Sequence, residues 1–130
     1  MGHFRQILNH FGLTEQQWRI LRALDERGQL EPREICDSCQ FSSPSMAGML
    51  ARLEEAGLVT RERIPGDQRR VIVKLSQKGI DLLKQVGPLI EQQYAYIEEA
   101  CGKQVLDDLF HVLETFVDLS KRPIKHVDLP

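Results

Sequence analysis

The apolar positions of the chain keep a helical period for most of its length and drop to a period of two once, and those changes mark out its elements. Phe4, Ile7, Leu8 and Phe11 recur at helical spacing with little chain before them, so a first helix is expected, cut short at its start. Thr14 with Gln17 three residues later is a capping-box pattern, and Trp18, Ile20, Leu21 and Leu24 carry an apolar stripe on to Gly28, which predicts a second helix. Trp18 is read as core, because large aromatics usually serve packing. Leu30 reads as a short strand, and Pro32 opens a third helix through about Cys39. Ser43 and Pro44 predict the start of a fourth, since a Ser hydroxyl accepts from the free amides of a first turn and Pro fits the first helical position. Met46, Met49, Leu50 and Leu53 place a narrow apolar stripe on one side of that helix and leave Ser45, Gly48 and Arg52 on the other. Gly57, after Ala56, is the expected left-handed cap.

The period then changes. Leu58–Ile64 and Arg70–Leu75 are rich in β-branched residues, and Pro65-Gly66-Asp67-Gln68 between them carries turn chemistry, so the pair reads as a hairpin with Arg69 and Arg70 at its tip. Ser76 caps the next helix, whose apolar positions are Ile80, Leu83, Val86 and Ile90; Pro88 removes an amide and predicts a kink or break at Gly87-Pro88. Tyr94, Ile97, Val105, Leu109, Val112, Leu113, Phe116 and Val117 continue two amphipathic segments, divided near Cys101-Gly102, and residues 123–130 form a tail. The third and fourth helices with the Gln40–Ser42 link make a helix-turn-helix, which the hairpin extends into a winged one. The expected fold is mainly α with a small β wing. A winged helix-turn-helix core over about 14–75 is flanked by N- and C-terminal dimerisation helices, 1–13 and 76–122, in a single domain. The surplus apolar faces at both ends suggest an intertwined homodimer.

Charge sharpens this picture. The chain of 130 residues carries a net charge of −2, but Ser43–Leu75 holds six Lys/Arg against four Asp/Glu while 76–130 holds six against nine. A small-faced helix continued by a basic hairpin fits duplex DNA, with the helix in the major groove and the hairpin reaching the minor groove. An overall negative charge suits a site-specific, symmetric pair better than a protein that coats nucleic acid. No apolar run approaches the roughly 20 residues of a membrane span. No secretory signal is found at Met1-Gly2-His3-Phe4, which makes cytoplasmic residence the expectation.

In order and combination, several motifs resemble those of the multiple antibiotic resistance regulator (MarR) family of bacterial transcription factors. They are Leu53-Glu54-Glu55-Ala56-Gly57-Leu58-Val59, Asp67-Gln68-Arg69-Arg70 and Leu75-Ser76-Gln77-Lys78-Gly79. Leu13–Ile20 and Pro44–Leu50 look like the branch that regulates homoprotocatechuate degradation operons. The resemblance implies a homodimer bound to a pseudo-palindromic operator on double-stranded DNA, acting as a repressor and released by a small aromatic acid or phenol. On the family pattern Arg69 would enter the minor groove, with Asp67 holding its guanidinium in a bidentate pair and Arg70 beside it. Ser43 and Ser45, with Pro44 opening the helix, would meet phosphates or base edges, and Arg52 the backbone. Gly48 stands where relatives carry a long basic residue, which favours shape and backbone contacts over rich base readout. For an anionic aromatic effector the resemblance implies a pocket between the dimer helices and the winged core, where His3, Arg5, His10, Trp18, Arg19 and Arg22 are available.

Three cysteines form no disulfide framework. Cys36 and Cys39 make one C-x-x-C without the second pair a zinc site needs, so no metal and no cofactor is expected; as a redox pair they define an alternative, a regulator switched by oxidation. A further alternative is a winged-helix protein-interaction module. No nucleophile elbow or phosphate loop is present, and enzymatic activity is not expected.

Overall fold

The structure is a computed structural model that describes residues 2–130, apart from the side chain of Gln68. Among the described residues six helices and three strands follow in the order α1 (Gly2–His10), α2 (Glu15–Arg27), β1 (Gln29–Leu30), α3 (Pro32–Cys39), α4 (Ser43–Glu55), β2 (Val59–Ile64), β3 (Asp67–Leu75), α5 (Gln77–Cys101) and α6 (Lys103–Ser120). The chain divides into two compact units, Met1–Glu91 and Gln92–Pro130.

In the first unit, local signals act as the sequence predicts. Thr14 and Gln17 exchange both bonds of a capping box, the Gln17 amide donating to Thr14 Oγ1 at 3.1 Å and the Thr14 amide to Gln17 Oε1 at 3.0 Å. After α4, Gly57 takes φ 76°. The Leu58 amide then donates to Leu53 O at 2.9 Å and the Gly57 amide to Glu54 O at 3.0 Å, the paired closure that a left-handed glycine permits. The sheet is antiparallel in the order β1-β3-β2. Ile20, Leu21 and Leu24 of α2, Leu30 of β1, Ile35 of α3, Leu50 and Leu53 of α4, Val59 and Val73 of the hairpin and Val86 of α5 are fully buried and form one core. Trp18, read as core, is half-buried at its margin.

Three expectations are corrected. The cap of α4 is Ser42, not Ser43, so Ser43 and Pro44 are the first two helical residues. The hairpin turn is the Pro65-Gly66 pair alone, with Gly66 at φ 88° and Asp67 already in β3. The break at Gly87-Pro88 does not occur: α5 is continuous from Gln77 to Cys101. Pro88 removes one amide from the helical ladder, and the flanking turns hold the helix together.

The second unit consists of the end of α5, α6 and the tail. Tyr94 and Phe110 stack with ring centroids 6.1 Å apart and planes at 24°. The division at Cys101-Gly102 appears as expected, Gly102 turning the chain at φ 88°. None of the residues of α6 is buried, and Val105, Leu109, Phe110, Val112, Leu113, Phe116 and Val117 are all exposed. Among the described residues no helix is long and apolar enough to cross a membrane.

Candidate nucleic-acid interface

α4 presents two opposed faces. Met46, Leu50 and Leu53 are buried, and Met49 is half-buried beside them. Ser43, Pro44, Ser45, Ala47, Gly48, Ala51 and Arg52 are exposed, so every α4 residue expected to meet DNA lies on the solvent side. Space above Gly48 on that side is open: a Cβ added there would meet nothing within 4 Å. The first turn carries no acid to compete for its free amides, which leaves the helix N-terminus open to a phosphate oxygen. Ser42 Oγ donates to Ser45 Oγ at 2.9 Å, which ties the cap to the first turn. The preceding turn passes through Gln40 at φ 57°, left-handed for a residue other than glycine, and α3 delivers the chain to α4 through it.

The wing places its arginines differently from one another. β2 and β3 pair in register from Val59↔Leu75 to Arg63↔Val71, and the next pair is Ile64↔Asp67. Residues 68–70 therefore have no partners on β2 and stand out as a bulge. Asp67 does act on Arg69, through the backbone: its Oδ1 accepts from the Arg69 amide at 3.0 Å. No carboxylate pairs with the Arg69 guanidinium among the described residues, so the bidentate pair expected from the family pattern is replaced by a turn that shapes the loop under Arg69. Arg70 is exposed as well, but its guanidinium has a partner within the protein. Its Nε donates to Glu31 Oε1 at 2.6 Å, and that carboxylate raises the guanidinium pKa through the hydrogen bond first and charge second. The other wing cations also have partners in the protein: Arg61 meets Glu54 of α4 at 2.6 Å and Lys74 meets Glu62 at 3.2 Å. Glu31 was not singled out in the sequence, where it reads only as the residue before the Pro of a helix start.

Two clefts open on the first unit. One, of about 490 Å³, is lined by Trp18, Arg19, Arg22, Glu26 and Arg27 of α2 and by Ser38, Cys39 and Gln40. Three arginines against one glutamate make it cationic, and Arg22 Cζ lies 5.9 Å from the centre of the Trp18 ring while its Nη2 meets Glu26 at 3.4 Å. His3, Arg5 and His10, expected with these residues, do not line it: Arg5 pairs with Glu15 at 3.6 Å, His10 packs edge-on to Phe11, and His3 is exposed. The other cleft, of about 510 Å³, is walled by Phe11, Leu13, Leu53, Leu58 and Leu82, and its one cation, Lys78, donates to Ala56 O at 2.9 Å beside Asp81. Charge therefore favours the first cleft for an anion. Cys36 and Cys39 lie on α3 as free thiols, Cys36 Sγ 4.0 Å from Ser43 Oγ. Burial pushes the Cys39 thiol pKa up, against an opposing pull from Arg19.

A helix-turn-helix with an exposed small-residue face, flanked by a basic hairpin, defines a winged-helix regulator. A model of the MarR family matches residues 11–70. The HTH-type transcriptional regulator FarR of Neisseria gonorrhoeae is 40% identical over 121 residues, 91% of this chain and 83% of that protein. The homoprotocatechuate degradative operon repressor of Escherichia coli is 34% identical over 130 residues, 100% of this chain and 86% of that protein. Among solved structures, NadR in complex with 4-hydroxyphenylacetate is similar at 37% identity with a TM-score of 0.76, covering 95% of this chain and 85% of that one. CouR, a transcriptional repressor bound to a 23-mer DNA duplex, is similar at 28% identity with a TM-score of 0.83, covering 89% and 82%. The chain belongs to the MarR family.

Proposed function

We propose that the protein is a cytoplasmic, homodimeric repressor that holds a pseudo-palindromic operator through α4 and the wing and releases it when a small aromatic acid or phenol binds. The observation that carries this reading is the combination, in one unit, of the exposed small face of α4 with a wing whose Arg69 has no ion pair among the described residues. The other cations of the wing are engaged within the protein, so Arg69 is the group offered to a narrow minor groove. Ser43, Ser45 and the first amides of α4 would meet phosphate or base edges, and Arg52 the DNA backbone. CouR in complex with duplex DNA supports operator binding over a protein-interaction use of the same fold.

The cationic groove at Trp18, Arg19 and Arg22 is the better seat for an aromatic carboxylate, ring against Trp18 and carboxylate against a guanidinium. Its neighbours Ser38, Cys39 and Gln40 end α3 and begin the turn into α4, so an occupant touches the segment that aims the recognition helix. The name of the Escherichia coli repressor and the ligand held by NadR support this class of effector. Oxidation of Cys36 and Cys39 is the weaker switch, because Cys39 is buried and burial pushes its thiol pKa up, away from the reactive thiolate.

The test begins with selecting duplexes from a random-sequence pool on the full chain and measuring retention with 4-hydroxyphenylacetate present or absent. A symmetric duplex released by that acid, without peroxide, is expected. Failure to enrich any duplex discards operator binding, whereas release by peroxide alone transfers the switch to the thiols.

A further inference from the structure

The tip of the wing is tied to the helix-turn-helix by a bond between residues 39 apart in sequence, Arg70 and Glu31. Register explains how they meet. Gln29 pairs with Lys74 and Leu30 with Val73, so Glu31 follows opposite Ile72, and Arg70, two residues along on the same face, is its diagonal neighbour. Glu31 is the last extended residue before α3, at φ −77° and ψ 153°. Its carboxylate stands at the helix N-terminus, where free amides favour negative charge, and its own amide donates to Glu34 Oε1 at 3.0 Å. It is thus fixed from the α3 side. Arg70, for its part, closes the bulged stretch 68–70, which has no ladder partner on β2.

We propose that Glu31 is a positioning residue for DNA recognition: by holding Arg70 it anchors the bulge to α3 and sets the direction in which Arg69 leaves the wing. The wing's aim is then linked to the helix that delivers the chain to α4. The inference rests on the reading of Arg69 as a DNA contact.

Charge and position predict opposite signs here, which makes the test sharp. Glu31→Gln removes a negative charge, and on electrostatics alone it tightens binding to a polyanion. Positioning predicts the reverse. With a duplex selected from a random-sequence pool on the full chain, at one fixed salt concentration, Glu31→Gln is expected to weaken binding about fivefold. Arg69→Ala is expected to cost about tenfold in the unaltered chain but only about twofold when Glu31→Gln is already present, since a misdirected side chain has less to lose. A loss of stability alone would leave the two effects independent. Affinity unchanged or improved in Glu31→Gln, or losses that simply multiply, overturns the positioning role. Arg69→Ala without effect overturns instead the reading on which it rests, and the two failures are told apart by that single variant. Should Glu31→Gln disturb α3, Arg70→Gln removes the same bond and leaves the helix start intact; it must show the same coupling to Arg69→Ala, and independence there overturns the proposal equally.

Discussion

Two glycines of the first unit have opposite reasons to be glycine. At Gly79 a Cβ would run into the carbonyl oxygen of Leu58, the oxygen that also accepts the Ser76 amide at 3.0 Å. Ser76 Oγ donates to Gly57 O and accepts the Gly79 amide at 3.0 Å, so the start of α5 is laced to the chain leaving α4 with no space for a methyl group. At Gly48, inside α4, the space is open. Gly79→Ala is therefore expected to lower stability by about 1–3 kcal/mol through overpacking against backbone. Gly48→Ala is expected to raise it by about 0.5–1 kcal/mol through helix propensity. Urea unfolding followed by circular dichroism checks both, and equal midpoints for the two variants would show that the crowding at Gly79 is not felt. At this scale the sequence was legible wherever a residue's conformation is its own, as at Gly57 with φ 76°. It misplaced the cap of α4 by one residue because Ser42 and Ser43 are chemically alike. It also misjudged Asp67, whose carboxylate finds the nearby amide of Arg69 before it finds a guanidinium.

The elements were legible because each carries its own period and punctuation, and the corrections fall where neighbours overrule local chemistry. α5 runs unbroken through Pro88 although an interior proline is costly, because the helix has about three turns on either side of it to hold its course. The link from Glu31 to Arg70 could not be read because it depends on the register of β1 with β3, and a two-residue strand leaves almost no periodic signal. α3 supplies a prediction of its own. Cys39 is buried, Cys36 half-buried and Cys101 exposed. The Cys39 pKa is raised by desolvation, so the folded state holds the thiol proton more firmly than the unfolded chain does. That contribution to stability is complete below the ordinary thiol range and disappears as pH rises through the folded-state value. Iodoacetamide at neutral pH is accordingly expected to label Cys101 first and Cys39 last, with Cys39 still protected while the chain remains folded. Labelling of Cys39 as fast as Cys101, read by mass spectrometry, would restore it as a candidate sensor.

For the molecule as a whole, the second unit cannot be the end of the assembly. Val105, Leu109, Val112, Leu113, Phe116 and Val117 fall at spacings of three and four along α6, one continuous apolar stripe on a helix with no buried residue. A stripe of that length left in water marks an interface, and a second copy can cover it with its own by a two-fold axis. A pair of chains carries two copies of α4 and of the wing, as many as the half-sites of a pseudo-palindromic operator. Phe116 is 67% exposed, so replacing it costs the lone chain little packing. Phe116→Glu, however, sets an unpaired carboxylate on the stripe of each protomer, where the partner's apolar surface would have to desolvate it. Sedimentation should find the unaltered chain near twice its mass of 15.0 kDa and the variant near that mass itself. Far-UV circular dichroism should retain the helical signal of the winged unit. Operator affinity should fall by about a hundredfold or more, because a single winged unit holds only one half-site and the linkage between two is lost. A variant that still sediments as a dimer would place the interface elsewhere, and one that sediments as a monomer yet binds the operator undiminished would remove the need for the dimer in recognition.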